Sequence, residues 1–430
     1  MPLTSAGFRH PAANPGRTAT PARTASAGRT GSQSPTGSLR RAATTAVLGV
    51  LTLLAGLLGV FATPASAAGL TQVTSFGANP GNLAMYEYAP AGLPANAPLV
   101  VALHGCTQSA NDYFTHSGWQ KYADLWKFAL VFPQTSSANN PLSCFSWFDA
   151  AKDTRGKGEA ASVVSMVNTA VAQYGSDRGR VYVTGLSAGG GMTADLLADY
   201  PDVFAAGSIN SGLPAQCAVT QSEASRCQNS SLGLTPQQWG DKVRNSFPGY
   251  TGPWPRVAIW QGTSDFTVYP VNATELRDQW TNVWGISQTP SSTQSLPANT
   301  TLSIYNDSTG KPAVEVFSIS GMGHGLAVDP GTATSQCGAT GPYYLDTICS
   351  TYYTARFWGL DAGAPGGGTD PALCYTDNNY NHVAAGRAHQ TGGIAYANGS
   401  NQNMGLWNTA VVHTLKQTSP DYYVLADSGC

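Results

Sequence analysis

One pentapeptide constrains this chain more than any other feature: Gly185-Leu186-Ser187-Ala188-Gly189. An apolar run, Arg180-Val-Tyr-Val-Thr184, precedes it, and a helical pattern from Met192 to Tyr200 follows. A strand, a sharp turn with serine at its tip and a helix form the context of a nucleophile elbow. The flanking glycines suit a strained tip whose neighbours approach closely. The positive end of the following helix points at the serine, where it favours negative charge. The competing reading is a serine in an ordinary turn, which would not need both flanks.

The chain has 430 residues, and its beginning does not read as fold. Residues 1–39 are rich in Ala, Thr, Ser, Gly, Pro and Arg. Arg40-Arg41 then leads into an apolar stretch from Ala42 to Phe61, and Ala65-Ser66-Ala67 offers a small-residue cleavage site. This order predicts a secretory leader over residues 1–67 and an extracellular protein. A membrane anchor is the alternative, but the Gly and Thr content and the Ala-Ser-Ala end favour cleavage over stable insertion. Ser38-Leu39-Arg40-Arg41 matches a twin-arginine signal only in part.

Charged residues make up 11% of the chain, against roughly 25% in an average globular protein. The net charge of −2 leaves no basic field to gather nucleic acid. A surface of Ser, Thr, Asn, Gln, Gly and Tyr suits a neutral, partly apolar partner. All 8 cysteines lie beyond the leader, and an even number in an exported chain predicts disulfides. Proximity suggests Cys217–Cys227 and Cys337–Cys349. Cys374 and Cys430 would then close the tail, leaving Cys106 with Cys144. With no C-x-x-C and no H-E-x-x-H, neither a metal nor another cofactor is called for.

Six short apolar runs read as strands: Pro98–Leu103, Phe128–Phe132, Val181–Val183, Ala205–Ile209, Arg256–Trp260 and Ala313–Ser318. Continuous apolar runs mark strands covered on both faces. Helical patterns separate them, clearest at Glu159–Tyr174, where Val163, Val164, Val167, Ala170 and Val171 share a stripe. The alternation predicts a mostly parallel central sheet with helices on both faces. Residues 360–373 form a Gly/Pro-rich linker. The small segment 374–430 is rich in Asn, Tyr, Gly and Ala and needs a disulfide staple.

A serine nucleophile needs a base, and the base an orienting acid. In elbow folds the chain order is Ser, acid, His. Of 7 histidines, only His324 follows Ser187 within the main domain, in the loop Gly321-Met-Gly-His-Gly325. Asp265 ends the run Ile259-Trp-Gln-Gly-Thr-Ser-Asp265 and is the candidate acid. Asp278 in a helical pattern and Asp307 in an Asn-Asp-Ser turn are poorer places. Backbone N–H groups of Ala188 and of Cys106, in the loop Leu103-His-Gly-Cys106, are candidates for an oxyanion hole. A Cys106–Cys144 bridge would bring Trp147 near the cleft, either to stack on substrate or as a core residue.

Together His104-Gly-Cys106, Gly185-Leu-Ser-Ala-Gly189, Gln261-Gly-Thr-Ser-Asp265 and Gly323-His-Gly325 resemble the secreted polyhydroxybutyrate depolymerases. The resemblance spans roughly residues 70–359 and implies an α/β-hydrolase serine esterase, here assigned to 68–359. Asn381–His389 and Tyr396–Leu406 resemble the small substrate-binding domain of that family. The resemblance implies an insoluble polyester, poly(3-hydroxybutyrate), as partner, with His382, Arg387 and Trp407 as candidates for contacting it. The join here is shorter than the threonine-rich or fibronectin-like linkers of many such enzymes. Feruloyl and acetylxylan esterases share the catalytic motifs and are the rival reading. A non-catalytic polymer-binding protein is the rival from another class, and the complete Ser, Asp and His set argues against it. The oligomeric state is not legible.

Overall fold

The computed structural model describes residues 69–363, 373–419 and 422–427. The proposed leader, most of the linker and Cys430 lie outside the described residues.

A ten-stranded sheet organises the main body: β1 (Thr71–Val73), β2 (Ala84–Tyr88), β3 (Leu99–Leu103), β4 (Ala129–Gln134), β5 (Val181–Leu186), β6 (Ala206–Asn210), β7 (Arg256–Gly262), β8 (Ser292–Leu296), β9 (Thr300–Asn306) and β10 (Pro312–Ile319). Their order is β1-β2-β4-β3-β5-β6-β7-β10-β9-β8. The six interior strands, from β4 to β10, run parallel. They are the six strands read from the apolar runs. The four outer strands pair antiparallel. Helices cover both faces, and separate apolar clusters lie on the two sides. This is an α/β-hydrolase arrangement.

The helix Gly158–Tyr174 buries Val163, Val167, Ala170 and Val171, while Val164 is only half-buried. Leu360–Gly363 is a 3-10 turn with Leu360 buried in the apolar cluster under the Ser350–Phe357 helix. Leu360, at the start of the Gly/Pro-rich stretch, thus packs as core. The disulfides Cys106–Cys144, Cys217–Cys227 and Cys337–Cys349 are present.

The tail has its own small apolar cluster of Ala388, Ala395, Ala397, Met404, Leu415 and Tyr423. Two three-stranded antiparallel sheets and the helix Asn379–Ala384 surround it. Alanines dominate the cluster, so it buries little area per residue.

Three carboxyls are buried at the far end of the helix Ala188–Asp199. Asp153, Asp195 and Asp199 are each at most 1% exposed. Burial, then repulsion from Asp149, pushes Asp153 up to about 7. Burial and the neighbouring Asp153 push Asp199 up to about 8. Asp195 moves the same way for the same reasons. The folded chain thus holds protons that the unfolded chain releases at lower pH, so stability falls as pH rises towards these values. His104, pushed down to about 4 by burial, acts oppositely, but only below its ordinary titration near 6.5. Between pH 6.5 and 8.5 the melting temperature should fall, on the order of 5 °C. Asp199→Asn should flatten that slope in a thermal-shift series; an unchanged slope would show that Asp199 is not a source of it.

Candidate active site

The elbow is built as its sequence requires. Ser187 sits between β5 and the helix Ala188–Asp199 at φ 57° and ψ −116°, a strained conformation for a side-chain-bearing residue. A Cβ on Gly185 would lie 2.2 Å from the Gly189 carbonyl oxygen. One on Gly189 would lie 2.5 Å from the carbonyl oxygens of Leu103 and His104. Only glycine permits both approaches. Ser187 N–H donates to the Asn210 carbonyl at 3.0 Å. The Asn210 amide in turn donates to Thr184 Oγ1 and the Gly185 carbonyl, each at 3.1 Å. Asn210 ends β6, where one polar residue closes an apolar run; that was its only signal in the sequence.

β7 and β10 are neighbours, so the loops leaving them meet. Thr263 N–H donates to the Ile319 carbonyl at 2.9 Å and Ser264 N–H to the Met322 carbonyl at 3.0 Å. Gly321 N–H donates to Thr263 Oγ1 at 2.9 Å. These ties bring Asp265 and His324 together. His324 Nδ1 lies 2.7 Å from Asp265 Oδ2, and His324 Nε2 lies 2.9 Å from Ser187 Oγ.

Asp265 is fully buried. Burial alone would raise its pKa. The hydrogen bond and charge of His324 and the N–H groups of Val268 and Thr267, both 2.9 Å from Oδ1, outweigh it and hold the carboxyl below its ordinary range. An ionised Asp265 fixes the imidazole proton on Nδ1, which leaves Nε2 free to accept from the serine hydroxyl. Gln261 supports the same carboxylate, donating to Oδ2 at 3.2 Å.

The cleft above Ser187 encloses about 340 Å3. Cys106 and Ala188 line it beside the serine. Ala188 opens a helix, and the first N–H groups of a helix have no intrahelical acceptor. His104 is buried behind the Cys106 loop. Its Nδ1 donates to the Gly105 carbonyl at 2.7 Å, and its Nε2 accepts from Thr135 N–H at 3.3 Å. That pairing needs a neutral ring, as its lowered pKa provides. Turning the Gly105 carbonyl inward turns the Cys106 N–H the opposite way across the same peptide plane. The Cys106–Cys144 bridge and the bond from Thr107 N–H to the Leu142 carbonyl, at 2.7 Å, tether the loop to the opposite wall.

Trp147 lines the cleft but is buried, packed against Gly191 and edge-to-face with Phe148. It serves as wall and core together. Leu142 and Tyr343, both exposed, flank the opening; nothing in their local sequence singled them out.

The tail residues divide. His382 is fully buried; its Nε2 donates to the His413 carbonyl at 3.0 Å and its Nδ1 accepts from Arg387 Nε at 3.0 Å. Arg387 also pairs with Asp377 at 3.2 Å and lies over the Tyr375 ring. Both side chains hydrogen-bond within the tail. A polar side chain in a segment with so few aliphatics is more useful as an internal strut. Trp407 is exposed and stacks on exposed Tyr380, with ring centroids 5.6 Å apart.

Among the described residues no group of three or more His, Cys, Asp or Glu is arranged to hold a metal ion. No helix among them is long and apolar enough to cross a membrane.

The family described as esterase PHB depolymerase matches residues 82–295. The chain is 48% identical over 292 residues to poly(3-hydroxyalkanoate) depolymerase C of Paucimonas lemoignei, covering 68% of this chain and 70% of that one. The chain belongs to the PHB depolymerase esterase family. The chain is accordingly a hydrolase of the esterase type. Feruloyl esterase B of Talaromyces stipitatus is 38% identical over 282 residues, covering 64% of this chain and 77% of that one. Among solved structures, an acetyl xylan esterase from Aspergillus awamori superposes with a TM-score of 0.58 at 28% identity, covering 68% of this chain and all of that one.

Proposed function

We propose that this PHB depolymerase-family esterase is exported and hydrolyses the ester bonds of poly(3-hydroxybutyrate) through an acyl-enzyme on Ser187. The hydrogen-bonded series Asp265–His324–Ser187 carries the catalytic part of this reading. The 48% identity to a polyhydroxyalkanoate depolymerase supports the substrate.

His324 Nε2 takes the Ser187 proton as Oγ attacks the ester carbonyl. The backbone N–H groups of Cys106 and Ala188 receive the oxyanion. The tetrahedral intermediate collapses, and His324 returns its proton to the leaving alcohol. Water, activated by the same imidazole, then releases the acid and restores Ser187. Asp265 keeps its charge throughout and stabilises the imidazolium.

In this reading residues 1–67 are a leader removed on export, and residues 374–430 hold the enzyme on solid polymer. Tethering raises the local concentration of ester bonds. Tyr380 and Trp407 supply a flat exposed aromatic surface for that contact. Deleting 374–430 should leave hydrolysis of a soluble butyrate ester within about twofold and slow clearing of a polymer film about tenfold or more. Equal losses on both substrates would make the tail a structural part of the esterase.

The 38% identity to a feruloyl esterase favours one second reading, removal of acyl groups from plant polysaccharide. Clearing of poly(3-hydroxybutyrate) film without release of ferulate from arabinoxylan supports the polyester; the reverse result overturns it.

A further inference from the structure

A second cavity, of about 440 Å3, shares no lining residue with the catalytic cleft. Its size falls within the ~300–1,000 Å3 of small-ligand sites. It lies against β7 to β10 and the helix Ser350–Phe357. At its base is Glu315, in the middle of β10. Its strand neighbours are Ala258 on β7 and Ile304 on β9, neither of which can donate a hydrogen bond from its side chain. Glu315 is 8% exposed, and no hydrogen bond or ion pair among the described residues satisfies its carboxyl.

Burial pushes that carboxyl up to about 8, so at neutral pH it is protonated and presents an O–H donor. The Glu315 side chain lines the cavity, so the space open to the carboxyl is the cavity itself. The surrounding wall is apolar: Leu302, Ile304, Phe317 and Phe357. Charged groups stand around it. Arg256 on β7 is paired with Asp307 at 2.6 Å, and Arg356 on the helix with Asp361 at 3.2 Å. Lys311, just before β10, is exposed, and Tyr353 faces the cavity from the helix. An acidic donor at the base, an apolar wall and cations around it suit a ligand with the complementary order of groups.

We propose that this cavity is a second ligand site that binds a short, linear hydroxyacid oligoester. An ester carbonyl accepts from the Glu315 carboxyl. The alkyl groups lie on Leu302, Ile304, Phe317 and Phe357, and the terminal carboxylate faces Lys311. The site rests on the polyester reading only for the identity of its ligand, since such acids are what depolymerisation releases.

The test uses the full-length enzyme with Ser187 blocked by a fluorophosphonate, and the linear trimer of 3-hydroxybutyric acid as probe. Blocking prevents hydrolysis and occupies the cleft. Calorimetry should show binding at pH 7. Glu315→Gln keeps a donor and should retain that affinity; Glu315→Leu should weaken it about tenfold or more. Unblocked, both variants should hydrolyse a soluble ester at the parent rate. Raising the pH from 7 to 9 ionises Glu315 and should weaken binding to the parent but not to Glu315→Gln. No binding to the blocked enzyme, equal binding to the leucine variant, or the same pH response in parent and Gln variant would overturn the site. Film clearing by the unblocked enzyme separates the two claims. Clearing without trimer binding removes the second site alone, and trimer binding without clearing removes the polyester reading while the site stands.

Discussion

Replacing Ser187 with alanine should lower kcat on a soluble butyrate ester by about 10^6-fold. The loss is that large because Ser187 Oγ is the hydroxyl hydrogen-bonded to the general base. His324 Nε2 is aimed at Ser187 Oγ from 2.9 Å, and a water in its place would attack without the acyl-enzyme. A residual rate about 10^3–10^4-fold above that in water should remain, from binding and the oxyanion donors alone. Alanine also relieves no tertiary contact except that hydrogen bond, so the melting temperature should stay near the parent value. Stopped-flow and single-turnover assays on soluble ester and polymer film should show the same loss. Substantial hydrolysis of either would place the nucleophile elsewhere.

Asp265→Asn should cost about 10^4-fold in kcat with little change in KM or fold. The reason is directional. Oδ1 of Asp265 accepts from the N–H groups of Thr267 and Val268, and asparagine keeps an oxygen there. Its amide nitrogen then faces His324 Nδ1, where the carboxylate oxygen stood at 2.7 Å. Nδ1 becomes an acceptor, the ring proton moves to Nε2, and the base can no longer take the serine proton. The imidazolium also loses its compensating charge. Kinetics with a thermal-stability control check both parts; a loss below about tenfold would show that another group orients the histidine.

The two variants probe different kinds of information. Ser187 announces itself locally, because a strand, two glycines and a helix are all within a few residues of it. Asp265 and His324 were legible through chain order and loop chemistry, since each leaves an apolar run into a glycine-rich turn. Their supports were not. Asn210 and the buried His104 act through partners tens of residues away in sequence, and only the strand order decides who those partners are. In the tail, the family resemblance pointed to His382 and Arg387, and the structure shows both hydrogen-bonded within the tail. A short segment with few aliphatics uses such side chains to hold itself together.

What the amino-acid order determined by itself was the interior. Six strands covered on both faces are apolar along most of their length, and that signal survives without knowledge of neighbours. The outer strands β1, β2, β8 and β9 face the solvent in part and mix polar with apolar residues, so no run marks them. Tertiary structure alone decided that β10 lies beside β7 although β8 and β9 come between them in the chain. That adjacency joins acid to base. The same packing buries Asp153, Asp195, Asp199 and Glu315. Periodicity records how much of a residue is covered; it carries no record of what covers it.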